Sequence, residues 1–181
     1  MALFRKSSAE PLAVTMAGVK LGHRLLAVGT RDPKTVALLA LKTGLTGRTC
    51  VVDDDEARLT EAASAIEREG ALIEPTRAPY GMWPFDSDSF DVAVLPHMLR
   101  TLPPDGRRRC LSEVYRVLRH GGRAIVIEPA RRGGFGALLT RSQGDAPYTD
   151  AVRDLQAAGF NAVRELAEAE GVIYAEGIKT M

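Results

Sequence analysis

Short apolar runs alternate with longer segments of helical periodicity through most of this chain. The runs at 25–28, 49–52 and 124–127 contain mainly apolar and β-branched side chains. Runs of this length suit strands that are covered on both faces, and strands that alternate with helices form parallel sheets. The sequence therefore predicts an α/β fold of the Rossmann-like, doubly wound type, with a mostly parallel seven-stranded sheet and helices on both faces.

The remaining elements are predicted from helix caps, glycine stops and strand-like patterns. Asp32 followed by Pro33 can cap and start a helix. Further helices are predicted at 11–20, before Gly70, at 107–118 and from 149 to 159, and further strands at 71–74, 91–95, 162–166 and 172–177. The last two strands, joined by a short turn, place one antiparallel strand near the C-terminus. We interpret 1–181 as a single domain, with a helical N-terminal segment at 1–22 and an irregular segment at 131–148 that is a candidate lid.

Charge, apolar content and cysteine usage argue against several classes of function. Lys and Arg number 24 and Asp and Glu 23, which gives a formal net charge of +1 and no basic footprint for nucleic acid. The apolar runs are too short to span a membrane, and the first residues lack the apolar core of a signal peptide, so we expect a cytoplasmic protein. Cys50 and Cys110 lie far apart without zinc-ligand spacing, which predicts buried free thiols and no metal site.

Two motifs in the second half of the chain combine turn or stop signals with buried strands. Residues 84–91 read Pro-Phe-Asp-Ser-Asp-Ser-Phe-Asp, a turn that leads into the strand at 91–95. Residues 113–122 read Glu-Val-Tyr-Arg-Val-Leu-Arg-His-Gly-Gly, in which Glu113 and Arg116 share one helix face and can pair. Gly121 can supply a left-handed stop after this helix. Both motifs are structural and provide no catalytic residue.

Together these motifs resemble the second half of the class I S-adenosylmethionine-dependent methyltransferase domain, in the branch called methyltransferase type 11. The resemblance covers about residues 25–128 and extends loosely over the C-terminal helix and strands. It implies S-adenosylmethionine as the methyl donor and a small molecule as the acceptor.

The resemblance places the cofactor beyond the first predicted strand, where the family has a glycine-rich loop. This chain reads Ala-Val-Gly-Thr-Arg-Asp-Pro over 27–33, so the motif is degenerate and retains only Gly29. The resemblance assigns cofactor contact to Gly29, Thr30 and Arg31. Arg31 can either fill the pocket or direct its guanidinium group at the carboxylate of the methionine moiety.

Further candidate cofactor contacts follow the second and third predicted strands. Asp53, which is followed by Asp54, suits hydrogen bonding to ribose hydroxyls, with a helix cap as the alternative. Arg77 and Ala78 occupy the region where the family carries an acid that faces the adenine amino group. Because an arginine cannot accept a hydrogen bond, Arg77 would instead stack on the adenine ring.

The end of the fourth predicted strand supplies the last candidates. Leu95 is matched to the cofactor-binding positions of the family. His97 is the candidate general base near the expected methyl donor, with a structural or solvent-facing histidine as the alternative.

More than one function is compatible with these residues. The first is S-adenosylmethionine-dependent methyl transfer to a small molecule. The second is a degenerate, catalytically inactive module that serves as a partner or regulatory subunit. A protein partner or a homo-oligomer is compatible with either function. A third is binding of another nucleotide-like ligand, because Arg31 and Arg77 favour an anion.

Overall fold

The computed structural model describes residues 10–130 and 150–181. These residues form five α-helices and seven strands, and the seven strands make one sheet. In chain order the elements are α1 (Leu12–Ala17), β1 (Arg24–Val28), α2 (Pro33–Thr43), β2 (Arg48–Asp53), α3 (Glu56–Arg68), β3 (Glu74–Arg77), β4 (Phe90–Pro96), α4 (Pro104–Val117), β5 (Leu118–Pro129), α5 (Ala151–Ala157), β6 (Asn161–Ala169) and β7 (Val172–Ile178).

The strand order across the sheet is β3-β2-β1-β4-β5-β7-β6. Strands β1 to β5 run parallel, and β7 runs antiparallel to both of its neighbours, β5 and β6. This confirms the predicted mostly parallel, seven-stranded sheet with one antiparallel strand. The strand order reverses between β1 and β4, and ligands of open α/β sheets bind beyond the carboxyl ends of the strands at such a point.

Helices cover both faces of the sheet, as the doubly wound prediction requires. On one face, α4 and α5 pack their apolar side chains against the sheet, with Leu111, Val114 and Leu155 fully buried. On the other face, α1, α2 and α3 form two further apolar clusters with the strands. Both faces of the central strands are therefore buried, which explains their continuous apolar sequences.

The prediction of a third strand at 71–74 is wrong. Strand β3 begins at Glu74, which pairs with Cys50, and ends at Arg77, which pairs with Asp53. The residues between Gly70 and Glu74 carry the chain from α3 to the sheet, and Leu72 is 74% exposed. The short apolar run after Gly70 suggested a strand, but it precedes β3. Because β3 is an edge strand, its own residues are weakly buried and a proline such as Pro75 is tolerated in it.

Two predicted helix ends are also wrong. Within the described residues, the N-terminal helix α1 ends before Gly18, which caps it with a left-handed φ of 57°. Gly121 is left-handed as predicted, with φ of 74°, but it lies inside β5 and does not end α4. The reason is that α4 passes directly into β5 at Leu118, so the chain has no separate connecting loop there.

Three other expectations concern the thiols, the membrane and the candidate lid. Cys50 and Cys110 are buried free thiols, as predicted. None of the helices in the described ranges is long and apolar enough to cross a membrane. Residues 1–9 and 131–149, and with them the candidate lid at 131–148, lie outside the described residues.

Candidate cofactor site

Gly29 forms the turn that leaves β1. Its φ of 85° is a left-handed conformation that favours glycine. The Gly29 N–H donates to the Val52 carbonyl at 2.8 Å, which ties the turn to β2. A Cβ added to Gly29 would lie 2.9 Å from Cβ of Met98, a buried residue that follows β4. The turn is therefore already covered by this chain's own side chain.

The Asp53 carboxylate, at the carboxyl end of β2, is saturated by hydrogen bonds. Oδ2 accepts the Thr30 N–H at 3.1 Å and the Thr30 hydroxyl at 2.7 Å. Oδ1 accepts the Asp55 N–H at 3.0 Å and Nη2 of Arg58 at 2.8 Å. A carboxylate offers about four acceptor positions, and Asp53 is only 1% exposed. Asp55, rather than Asp53, is the residue that caps α3.

The charge of Asp53 is stabilised by these same partners. Burial alone would raise the pKa of Asp53, but the Asp55 N–H, Thr30 and Arg58 outweigh it and hold the pKa below its ordinary value. Asp53 is therefore a carboxylate throughout the neutral pH range, and it attracts donors and cations.

Arg58, in the first turn of α3, contacts three aspartates at once. Nη2 lies 2.8 Å from Asp53 Oδ1 and 2.9 Å from Asp54 Oδ1, and Nη1 lies 3.2 Å from Asp55 Oδ2. The Arg58 side chain remains 42% exposed, so it closes the site from the solvent side. Sequence reasoning missed Arg58, although a cation one helical turn after an acidic run was a visible signal.

Tyr80 closes the same site from the loop between β3 and β4. Its hydroxyl lies 3.8 Å from the position of a Cβ on Gly29, and the residue is half-buried. Burial, followed by the charges of Asp53 and Asp54, raises the pKa of Tyr80. The phenol is therefore neutral near pH 7.

The other predicted contacts with the adenine and the methionine moiety are not among the four donors to the Asp53 carboxylate. Arg31 and Arg77 are exposed, and Nη1 of Arg77 lies 3.3 Å from Oε2 of Glu56. Ala78 is buried, and its N–H donates to the Asp53 carbonyl at 3.0 Å. Within the described ranges, no group of His, Cys, Asp and Glu could hold a metal ion.

Leu95 and His97 mark the carboxyl end of β4. Leu95 is fully buried in the apolar cluster under α4, whereas His97 is half-buried. His97 has a left-handed φ of 55°, and its N–H donates to the Ile127 carbonyl at 2.7 Å. Backbone strain of this kind concentrates at functional sites. Burial lowers the pKa of His97, which favours the neutral imidazole that a general base requires.

Glu128, at the carboxyl end of β5, is a buried acid that sequence reasoning did not assign. Oε1 accepts the Leu99 N–H at 2.7 Å and the Arg100 N–H at 3.3 Å. Oε2 is buried and has no hydrogen-bond partner in the described part of the chain. Burial raises the pKa of Glu128 to about 7, against the opposing effect of the two N–H donors. The visible signal was an acid that ends an apolar strand run.

Comparison with known protein families identifies the family to which the chain belongs. A sequence profile of a methyltransferase domain matches residues 26–126, which is more than half of the chain. The chain belongs to this methyltransferase family. The match spans Gly29, Asp53 and both motifs of the second half, and it confirms the class I, S-adenosylmethionine-dependent family that the sequence resembles.

Curated relatives of this methyltransferase domain are distant. An uncharacterised protein of Haemophilus influenzae is 29% identical over 143 residues, which cover 70% of this chain and 57% of the relative. The ubiquinone/menaquinone biosynthesis C-methyltransferase UbiE of Hydrogenovibrio crunogenus is 24% identical over 118 residues, which cover 64% of this chain and 46% of the relative. The chain therefore spans about half the length of the curated relatives that it matches.

Solved structures share the fold at low sequence identity. A methyltransferase from Aquifex aeolicus that depends on S-adenosylmethionine has a TM-score of 0.71 and 20% identity, covering 92% of this chain and 88% of that one. The YcgJ protein of Bacillus subtilis has a TM-score of 0.73 and 15% identity, with coverage of 94% and 97%. A Haloferax volcanii methyltransferase in complex with the activator Trm112 has a TM-score of 0.71 and 14% identity, with coverage of 94% and 87%.

Gly29 and Asp53, the predicted cofactor contacts, lie at the carboxyl ends of adjacent parallel strands, which is where open α/β sheets bind ligands. However, Asp53 has no acceptor position left for a ribose hydroxyl, and Met98 lies against Gly29. A cofactor can reach Asp53 only after a side chain of this methyltransferase domain moves away.

Proposed function

We propose that this protein transfers a methyl group from S-adenosylmethionine to a small-molecule acceptor and that the structure is the closed conformation of its cofactor site. The observation that carries the proposal is the family match across 26–126, which includes Gly29 and Asp53. These two residues lie at the carboxyl ends of adjacent parallel strands, next to the reversal of strand order. That crevice is the general ligand site of open α/β sheets.

The roles of individual residues follow from their positions. In the open conformation, Asp53 would bind the ribose hydroxyls, and the backbone at Gly29 would lie against the cofactor. S-adenosylmethionine supplies an activated methyl group, so holding the acceptor in line can provide much of the rate enhancement. His97 and Glu128, beyond β4 and β5, are the titratable groups that would face the acceptor.

A second candidate function is a methyltransferase-like module that binds no S-adenosylmethionine. The specific observation in its favour is the saturation of Asp53 by four donors of this chain, together with a loop that keeps only Gly29. Such a module would act as a partner or regulatory subunit. The Haloferax volcanii complex with an activator shows a protein of this fold bound to a second protein.

Titration calorimetry with S-adenosylhomocysteine separates the two functions, because this product retains the adenosine and amino-acid groups of the cofactor. We expect saturable heat and a raised melting temperature for the wild-type protein. The absence of both at about 1 mM ligand, an affinity weaker than any useful cofactor site, would favour the inactive module.

Substitution of Asp53 tests whether binding occurs at the proposed site. We expect Asp53→Ala to weaken S-adenosylhomocysteine binding by about 1–3 kcal/mol, because ribose hydroxyls lose their acceptor. Asp105→Ala, at an exposed aspartate in the first turn of α4, is the matched control and should bind like the wild type. Asp53→Asn provides a second variant if Asp53→Ala does not fold, and unchanged affinity in a folded variant would remove Asp53 from the site.

A further inference from the structure

We infer that Arg58 sets the affinity and the ribose selectivity of the cofactor site, because its guanidinium group holds an acceptor position on Asp53 that a ribose hydroxyl must take. The inference rests on the proposed function and concerns the same site. In this role Arg58 competes with the nucleoside for the Asp53 carboxylate. Arg58 and Tyr80 together are called the cover of this carboxylate.

Only some of the four donors on Asp53 can leave. Two of them are backbone N–H groups, those of Thr30 and Asp55, and they are fixed by the turns after β1 and β2. The other two are the Thr30 hydroxyl and Nη2 of Arg58. Because Thr30 is buried and anchored through its own backbone, Arg58 is the donor that can be displaced into solvent.

Arg58 has alternative partners that lower the cost of its departure from Asp53. Its guanidinium group already lies within hydrogen-bonding distance of Asp54 and Asp55, whose side chains are 48% and 42% exposed. Leaving Asp53 therefore costs Arg58 one ion pair while it keeps two others. Exposed ion pairs of this kind are individually weak, so the remaining pairs hold the side chain near the site without locking it there.

Tyr80 lies near the same carboxylate, on the loop that follows β3. Its hydroxyl is 3.8 Å from the position that a Cβ on Gly29 would occupy, and the charge of Asp53 contributes to its raised pKa. Arg58 and Tyr80 thus approach Asp53 from two different elements, α3 and the β3–β4 loop. A nucleoside whose ribose hydroxyls reach Asp53 must displace Arg58, since Arg58 is the solvent-facing donor on this carboxylate.

This arrangement predicts a specific dependence on the ribose hydroxyls. Adenosine and S-adenosylhomocysteine can donate hydroxyl hydrogen bonds to Asp53 and so replace the contact that Arg58 gives up. A nucleoside without these hydroxyls offers Asp53 no replacement donor, so it binds with the Arg58–Asp53 ion pair left in place. The ion pair therefore weakens the binding of ligands that use ribose hydroxyls more than the binding of ligands that lack them.

The test compares Arg58→Met with Arg68→Met by calorimetry, using S-adenosylhomocysteine, adenosine and 2′,3′-dideoxyadenosine as probes. Arg68 lies in the last turn of the same helix, where its Nε donates to the Ser64 carbonyl at 3.1 Å, so it is a matched control. We expect Arg58→Met to bind the two ribose-containing probes roughly three- to tenfold more tightly than the wild type does. The dideoxy probe should gain less than they do, and Arg68→Met should match the wild type.

Two outcomes separate this inference from the proposed function. If the wild type binds S-adenosylhomocysteine and a folded Arg58→Met variant binds it equally or more weakly, the inference is overturned and the proposed function stands. If neither protein binds any probe, the proposed function is overturned and the inference with it. Arg58→Gln, which removes the guanidinium charge, is the second variant should Arg58→Met not fold, and equal or weaker binding by it than by the wild type would overturn the inference.

Discussion

At the scale of single residues, Asp53 and Glu128 show how two buried carboxyl groups at the carboxyl ends of strands in one sheet acquire opposite charge preferences. Asp53 accepts four hydrogen bonds, one of them from a guanidinium group, and its pKa is lowered. Glu128 accepts two backbone N–H groups through one oxygen only, and its pKa is raised. The number and charge of the donors therefore decide which form of a buried acid is stable.

Glu128 makes the stability of the folded protein depend on pH. In the unfolded chain this side chain ionises near its ordinary value, whereas in the folded protein burial raises its pKa to about 7. The folded state therefore binds more protons than the unfolded state between these two values. Stability is greatest below the unfolded pKa and falls as the pH rises towards 7.

We predict that Glu128→Gln removes this pH dependence. The glutamine carbonyl can still accept the Leu99 N–H, but it never carries the buried negative charge. The variant should be more stable than the wild type by about 1–3 kcal/mol at pH 7.5, which is roughly half a unit above the pKa of Glu128 in the folded protein. The two proteins should be equally stable near the unfolded pKa of about 4.3. Urea unfolding at the two pH values measures the effect.

Glu165→Gln is the control for this prediction. Glu165 lies on β6, is exposed and lines the same cavity as Glu128. It should leave the pH dependence of the wild type unchanged. An equal slope in Glu128→Gln and the wild type would mean that Glu128 does not hold a proton at neutral pH.

At the scale of elements, α4 fixes the turn that leads into β4. Oε1 of Glu113 accepts the Trp83 N–H at 2.9 Å, and Nη2 of Arg116 donates to the Phe85 carbonyl at 2.8 Å. The two side chains also pair with each other, with Arg116 Nη2 2.7 Å from Glu113 Oε1, as their spacing predicts. The pairing was readable from sequence because both residues lie on one helix. Their bonds to the turn were not, because those partners are about thirty residues away along the chain.

We predict that Arg116→Lys destabilises the protein although it conserves the charge. A lysine has one donor atom and cannot bond the Phe85 carbonyl and Glu113 in the same fork geometry. The free energy of unfolding in urea should fall by about 1–2 kcal/mol. Arg108→Lys, at an exposed arginine of the same helix, should change it by less than about 0.5 kcal/mol. Equal effects of the two substitutions would show that the bonds to the turn are unimportant for stability.

At the scale of the whole molecule, the fold was predictable and the state of the cofactor site was not. The alternation of apolar runs and helices fixed the sheet type and its coverage, because both follow from local patterns. The register of β3 was missed because an edge strand carries little burial signal. The closure around Asp53 was missed because Thr30, Arg58 and Tyr80 meet there only after three separate segments of the chain have folded.

The whole account depends on a cofactor site that is closed in this structure and opens to admit a nucleoside. A crystal structure of the wild-type protein grown with S-adenosylhomocysteine tests this most directly. We predict ribose hydroxyls on the Asp53 carboxylate, with Arg58 turned away from Asp53 and still paired with Asp54 or Asp55. Bound S-adenosylhomocysteine beside an unbroken Arg58–Asp53 ion pair would contradict the account.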